Sequence, residues 1–445
     1  MVEPGETNEK ILEKGKEIFR ISDSFSSSLH PYQFFSKALA FLENRPLFKL
    51  QSFRFVDLFP SLVSFSQTAK YIDLYFLKTK TEIPFYLAAL GSVLLSNPFT
   101  SFFVVVFVKW SIRLFSRFFI LGRDYESGRK KILDRYRSGM VCTIDILGEA
   151  VLSEGEAKRY SERYISLLEG IASDKKLSSI RSSHFPKEPA GNVSVKCSSI
   201  FSQMDPLAFE FSVTELKNRL RPILDSALSK NIFINLDMEQ YETKDIILTA
   251  ALEIFSEEKY NSYPHFGIVI QAYLKSSFSD LEKVISVSES RKFPLTVRLV
   301  KGAYWEFEVI QAGWKGWEVP VFSNKKDTDR NYEVCTNLLL RSYPKIRPAF
   351  ASHNVRSLSY VLVRAEELLV PKDFIEVQML YGMAEPYKKA ILSSGILLRE
   401  YSPLGETIPG MAYLVRRLLE NSTNEGFLKN INSNRKDREK LLYLS

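Results

Sequence analysis

The sequence predicts an α/β fold, a TIM-like (β/α)8 barrel with an N-terminal helical arm, and three observations predict it. From residue 141 onward short, β-rich apolar runs alternate with longer stretches of helical periodicity, the mark of repeated βα units and a parallel sheet. Eight such runs fill roughly 290 residues, against a usual barrel length of about 250. Each run begins apolar and ends polar, and in a barrel all eight C-terminal strand ends open on the one face where active sites are built.

The first 140 residues lack this rhythm and read as a mainly helical arm or cap with a Ser-rich joint at SDSFSSSLHP. The opening MVEPGETNEKILEKGKEIF is charged and has no early apolar run of the secretory type, so a cytoplasmic location is expected. Pro84 to Val108, PFYLAALGSVLLSNPFTSFFVVVFV, carries no charge and is long enough to span a bilayer. Asn97-Pro98 breaks it into two halves, each more like a buried or interfacial helix than a span. Residues 109 to 137 then hold nine Lys/Arg against three Asp/Glu, with Trp and Phe interleaved. That composition suits peripheral contact at the inner face of the cytoplasmic membrane. A packed arm, an interfacial contact and a true span all stay open.

The eight runs are VCTIDILGE (141 to 149), NVSVKCS (192 to 198), FINLDME (233 to 239), FGIVIQAY (266 to 273), LTVRLVKGA (295 to 303), PAFASHN (348 to 354), FIEVQML (374 to 380) and GILLREYSP (395 to 403). Their polar ends are Glu149, Lys196, Asp237 with Glu239, Gln271, Lys301, His353 with Asn354, Gln378 and Tyr401. Singly, each is an ordinary loop-entry residue. Together they put cations, carboxylates and amides on one face, a mixture suited to a charged cofactor and a small zwitterion. The expected division is an arm over 1–140, a barrel over 141–427 and a short polar tail over 428–445, loosely attached.

Composition sets wider bounds. With 445 residues and 45% hydrophobic content, disorder is excluded as the default. Sixty Lys+Arg against fifty-two Asp+Glu give +8, which alone selects no partner. Cys142, Cys197 and Cys335 form no CxxC pair and the four histidines have no metal-ligand spacing, so a reducing compartment and no metal site are expected. In GMAYLVRRLLEN, adjacent Arg416 and Arg417 point about 100° apart on a helix, so at least one leans toward whatever Leu414, Val415 and Leu418 pack against. Either their stems cover apolar surface, or they form a fork for an anion.

Four stretches settle that company: VRLVKGAYWEFEVIQA, FASHN, EVQMLYGMAEP and REYSPLGETIPGMAYLVRRLLEN. With DILGEAVLS, SVKCSS, NLDME and VIQAY in the same order, the chain from about Cys142 to Phe427 resembles the proline dehydrogenase domain of the proline-utilisation (PutA-type) flavoproteins. FRFVDLFPSL in the arm is similar to the long members of that family. The resemblance implies a barrel holding non-covalent FAD. It also implies oxidation of L-proline to Δ1-pyrroline-5-carboxylate by hydride transfer to flavin N5, with a membrane quinone as electron acceptor.

It further implies roles. Arg416 and Arg417 correspond to the family's carboxylate-binding pair and Lys196 to its third cation, a task that suits permanently charged, bidentate arginine. Leu299, Tyr304, Tyr401 and Tyr413 match the pocket walls, Asp237 orients Lys196 and Tyr401, and Glu149 matches a gate residue that pairs with one of the arginines. For FAD the implied set is Gln271, Arg298, Lys301, Gly302, Ala303 and Trp305, with Lys325, Thr328, His353, Asn354, Gln378 and Glu420 on the phosphate, ribityl and adenine side. No GxGxxG or P-loop marks a nucleotide site. Ser352, Met238 and Tyr381 stand where Thr, Ala and His are common. Ser323-Asn324-Lys325 replaces Thr-Arg-Lys, which implies weaker FAD retention and leaves Asn324 without a role.

The sequence shows no dinucleotide fingerprint or nucleophilic cysteine for a second oxidation, so either it is monofunctional or a separate aldehyde dehydrogenase is a partner. No nucleic acid partner is expected. The competing expectations are a flavin dehydrogenase for hydroxyproline or pipecolate, and a membrane-associated barrel without catalysis.

Overall fold

The eight apolar runs form eight parallel strands whose hydrogen-bonded order closes on itself. The structure, a computed structural model, describes residues 4–25, 45–78, 82, 85–148, 151–406, 410 and 439–443. The strands are β1 (Val141–Ile146), β2 (Gly191–Lys196), β3 (Ile232–Asp237), β4 (Phe266–Gln271), β5 (Leu295–Val300), β6 (Ile346–Ala351), β7 (Glu376–Leu380) and β8 (Leu397–Leu404). Pairing of β1 with β8, Val141 opposite Arg399 through Ile146 opposite Leu404, seals the barrel.

The arm contributes α1 (Pro4–Ser24), α2 (Pro46–Leu58), α3 (Phe65–Ile72), α4 (Phe85–Ser96), α5 (Pro98–Phe119) and α6 (Tyr125–Arg137). The crossovers follow as α7 (Glu154–Ser173), α8 (Lys175–His184), α9 (Phe209–Lys230), α10 (Tyr241–Ser256), α11 (Glu258–Asn261) and α12 (Ser277–Glu289). They end with α13 (Trp305–Lys315), α14 (Lys325–Arg341), α15 (Val355–Glu367) and α16 (Glu385–Ser393).

Two-residue periodicity divides each strand between two environments. Ile232, Ile234 and Leu236 on β3, and Leu295, Val297 and Leu299 on β5, are fully buried. They meet the apolar stripes of the outer helices, such as Leu216, Leu220, Ile223, Leu224 and Ala227 of α9 at helical spacing. Many of the alternate, lumen-facing positions are polar: Thr143 bonds Asn192, while Arg298 on β5 reaches Ser194 on the non-adjacent β2 at 3.0 Å. Barrel lumens are more often filled by branched apolar side chains. Here the apolar core lies mainly between sheet and helices.

The arm is not one unit. Helix α1 lies on the barrel against α15 and α16, burying Ile11, Ile18 and Phe19. Helices α2, α3 and α5, with the turn that follows α2, share a small core of Phe55, Phe59, Ile72 and Val105. Asn97 separates α4 from α5, its side chain accepting from the Phe99 N–H at 2.8 Å, as expected of Asn before Pro at a helix start. Helix α5 is the one helix among the described residues long and apolar enough to cross a membrane by length and composition.

The basic stretch 109 to 137 is not wholly free at the surface, because α6 pairs two of its arginines with carboxylates of neighbouring elements. Arg129 binds both oxygens of Asp174 at 2.6 and 2.8 Å, and Arg135 binds Glu385 at 2.9 Å and Glu400 at 3.1 Å. Nor is the end of the chain loosely attached throughout. Leu442 is fully buried, fills the space in front of Gly15 on α1, and accepts a hydrogen bond from Arg356 Nη1 at 2.7 Å through its carbonyl. A buried leucine and a satisfied carbonyl outweigh the polarity of the neighbouring residues.

Candidate active site

Because every strand is parallel, the polar run ends converge on one rim, and a cavity opens there. Lys196, Asp237, Gln271, Arg298, Gln378 and Tyr401 line it, with Val269, Val300, Met379 and Leu380 as apolar wall. Lys301, Gly302, Ala303 and Tyr304 after β5, and Ser352, His353 and Asn354 after β6, complete the rim.

A charged floor spans the lumen. Lys196 Nζ is paired with the fully buried Asp145 on β1 and lies 3.4 Å from the Tyr401 hydroxyl. Tyr401 donates to Asp237 Oδ2 at 2.8 Å, and Arg298 donates to Asp237 Oδ1 at 2.6 Å. Two cations and two carboxylates thus alternate around a neutral phenol. Burial works against the Lys196 ammonium, yet Asp145 and Asp237 outweigh it and hold the group protonated well above the ordinary lysine range.

The opposite side is built from helix starts and amides. Asn354 caps α15 by accepting from the Ser357 N–H at 3.0 Å, so the positive end of that helix faces the rim. His353 Nε2 accepts from the Leu380 N–H at 3.0 Å, which places the ring proton on Nδ1 and makes the imidazole neutral. Lys301 pairs with Asp329 of α14 at 2.5 Å, while burial lowers its pKa. Gly302 has φ +125°, and the Tyr273 ring leaves no room for a Cβ there. Only glycine lets the backbone turn at this point.

The cavity therefore gathers Lys196, Asp237, Gln271, Arg298, Lys301, Gly302, Ala303, Tyr304, His353, Asn354, Gln378 and Tyr401. Trp305, Lys325 and Thr328 stand outside its lining: Trp305 Nε1 is tied to the Phe322 carbonyl at 2.8 Å, Lys325 is exposed, and Thr328 is buried on α14. Leu299 is a correction. Its neighbours Arg298 and Val300 face the cavity, so strand parity sends Leu299 to the helix side, where it is fully buried. Glu149, Tyr413, Arg416, Arg417 and Glu420 lie outside the described residues.

Sequence reasoning missed Asp145, Leu380 and Asp329. Asp145 sits within a run rather than at its end, and the signal for it was a carboxylate in a fully buried strand, which requires a partner. Leu380 pairs in register with Tyr401 and shares the cavity wall with it. Asn324, left without a role, caps α14 by accepting from the Lys326 N–H at 3.0 Å.

A closed (β/α)8 barrel with a charge-lined cavity at its C-terminal rim defines a barrel enzyme class whose chemistry is set by its rim residues. Residues 128–430 match the family profile described as proline dehydrogenase, and residues 8–119 match the proline utilization A N-terminal domain. The chain belongs to the proline dehydrogenase family. It is 31% identical to the bifunctional protein PutA of Escherichia coli (strain K12) over 73% of this chain and 24% of that protein. It is 30% identical to proline dehydrogenase 1 of Bacillus subtilis (strain 168) over 72% of this chain and 91% of that one. The crystal structure of proline utilization A from Bdellovibrio bacteriovorus, inactivated by N-propargylglycine, superposes with a TM-score of 0.85 at 38% identity. That match covers 99% of this chain and 44% of the other. The chain spans about a quarter of the length of the curated bifunctional relatives it matches.

Proposed function

We propose that this protein oxidises L-proline to Δ1-pyrroline-5-carboxylate, with FAD as hydride acceptor and a membrane quinone as the final electron acceptor. The charged floor carries the reading: a protonated Lys196 beside a phenol and an aromatic face is a receptor for a ring bearing a carboxylate. N-propargylglycine, the inactivator of the Bdellovibrio protein, is likewise a secondary amine with a carboxylate.

The residues present fit FAD. Gln271 Oε1, Gln378 Oε1 and Arg298 Nε are buried without a hydrogen-bond partner, and all three residues line the cavity. Two acceptors and a cationic donor suit the mixed donor and acceptor edge of an isoalloxazine. Arg298, Gln271 and Gln378 would hold the ring, with Lys301, Gly302, His353 and Asn354 toward the phosphate-bearing side. Bound there, the flavin supplies a two-electron acceptor for the hydride leaving the ring carbon next to nitrogen.

The chain's own residues bind and orient. Lys196 offers its ammonium to the substrate carboxylate, a task that the family resemblance assigns also to Arg416 and Arg417. Tyr401 and Leu380 flank the ring and exclude water. Asp237 is an orienter rather than a proton acceptor, since one oxygen is held by Tyr401 and the other by Arg298. Oxidation of the product's open-chain aldehyde is assigned to no residue of this barrel. Burial pushes the Cys335 thiol up to about 11 and the Cys142 thiol to about 12, and raises Cys197 too, so none is a ready nucleophile.

Transfer to a quinone requires a bilayer, and α5 supports contact with one. Phe99, Phe103, Phe107 and Trp110 are more than half exposed, and Lys109, Arg113 and Arg117 occupy the second half of the same helix. Three cations favour lying at an anionic surface over spanning it, on the inner face of a cytoplasmic membrane. The deciding experiment is an anaerobic titration of purified protein with L-proline: oxidised-flavin absorbance should bleach. A colourless protein that takes up no added FAD would sink the proposal.

A further inference from the structure

One fully buried charge in the barrel has no role in the chemistry described so far. Asp145 is fully buried on β1, outside the cavity lining, and its carboxylate meets Lys196 Nζ on the neighbouring strand. Lys196 is the last residue of β2, and its backbone N–H donates to Tyr164 of α7 at 3.2 Å, so its main chain is fixed while its long side chain is not. Two carboxylates compete for the ammonium: Asp145 beneath it and Asp237 on β3, opposite it in register. Asp237 is already committed to Arg298 and Tyr401, so Asp145 decides where the ammonium rests.

We infer that Asp145 is a positioning residue for proline oxidation: it anchors the Lys196 ammonium at the cavity floor, where a substrate carboxylate meets it. The inference rests on Lys196 being a carboxylate-binding cation. Without this anchor, Asp237 draws the ammonium toward itself, disturbs the Tyr401 hydrogen bond, and weakens the grip on the carboxylate. A role limited to holding the fold would instead affect stability and leave substrate recognition alone.

The test is a double-mutant cycle on full-length protein, read by steady-state kinetics with proline and by competitive inhibition with cyclopentanecarboxylate, a ring with the carboxylate and no oxidisable nitrogen. Asp145→Asn should raise the proline KM about tenfold and the inhibitor constant by a similar factor, with kcat changed less than about threefold. Lys196→Met should do at least as much, and Asp145→Asn with Lys196→Met should be no worse than Lys196→Met alone. Multiplying effects, or an unchanged KM and inhibitor constant in Asp145→Asn, would overturn the inference. If Lys196→Met itself leaves both constants unchanged, the carboxylate-binding reading of Lys196 has failed, a separate and recognisable result. Should Asp145→Asn not fold, Asp145→Glu keeps the ion pair but displaces it by one methylene. A KM raised at least about fivefold by Asp145→Glu supports positioning, and an unchanged KM overturns it.

Discussion

The phenol of Tyr401 on β8 donates to Asp237 on β3 at 2.8 Å, a hydrogen bond between strands that are not neighbours in the barrel. It is charge-assisted, of a type that contributes about 1.5 to 3 kcal/mol. Tyr401→Phe should therefore lower kcat/KM for proline by tenfold or more while the protein stays folded. Steady-state kinetics beside a circular dichroism melt checks this, and an unchanged kcat/KM would remove Tyr401 from the reaction.

Arg298 presents the opposite case. Removing it leaves Asp237 buried without its cation, so Arg298→Met should destabilise the protein by about 3 to 5 kcal/mol. Urea unfolding reads this directly. Adding Asp237→Asn to Arg298→Met should restore part of the loss, because the uncompensated charge has gone.

Burial, with the nearby charges of Arg347 and Arg399, lowers His265 to about 4. A histidine depressed in the fold stays neutral there while the unfolded chain takes up a proton near its ordinary value of about 6.5. Its contribution is complete above that value and is lost progressively as pH falls from about 6.5 to 4. His265→Gln should flatten the stability profile across this window. Parallel slopes for variant and parent would show that His265 does not titrate as its burial requires.

Leu442 is fully buried against α1, so Leu442→Ala should cost about 2 to 5 kcal/mol, the range for a buried leucine. Hydrogen exchange should then rise first in α1, whose Gly15 it covers. A neutral substitution would mean that residues 439–443 leave α1 undisturbed when they detach.

Replacing Phe103, Phe107 and Trp110 with serine should abolish flotation with anionic liposomes and leave proline oxidation with a soluble acceptor within about twofold of the parent. Retained flotation would move the membrane contact away from α5.

Much of the barrel is legible before any coordinates exist. Each run from VCTIDILGE to GILLREYSP overlaps a strand, because the strand positions packed against the outer helices must be largely apolar. Their polar ends found the rim because topology alone brings C-terminal ends together. Leu299 went astray because a motif fixes a neighbourhood while parity fixes a side, and one residue reverses it. Asp145 was hidden by lying inside a run, and Leu442 because its partners Gly15 and Arg356 are remote in sequence. Asp329 reaches Lys301 from the next helix, a contact that no spacing rule announces.

The polar lumen has a consequence for assembly as well as for chemistry. Its outward positions are mostly apolar, Glu400 and Ser402 of β8 excepted, and its inward positions carry Thr143, Asp145, Asn192, Ser194, Asn235 and Arg298. A strand that slipped by one residue would drive a carboxylate or guanidinium among the leucines of α9 and its neighbours, and turn an aliphatic residue into the mouth. The groups that would handle substrate thus also act as a key for strand pairing, and a variant that neutralises several of them should close its barrel less faithfully.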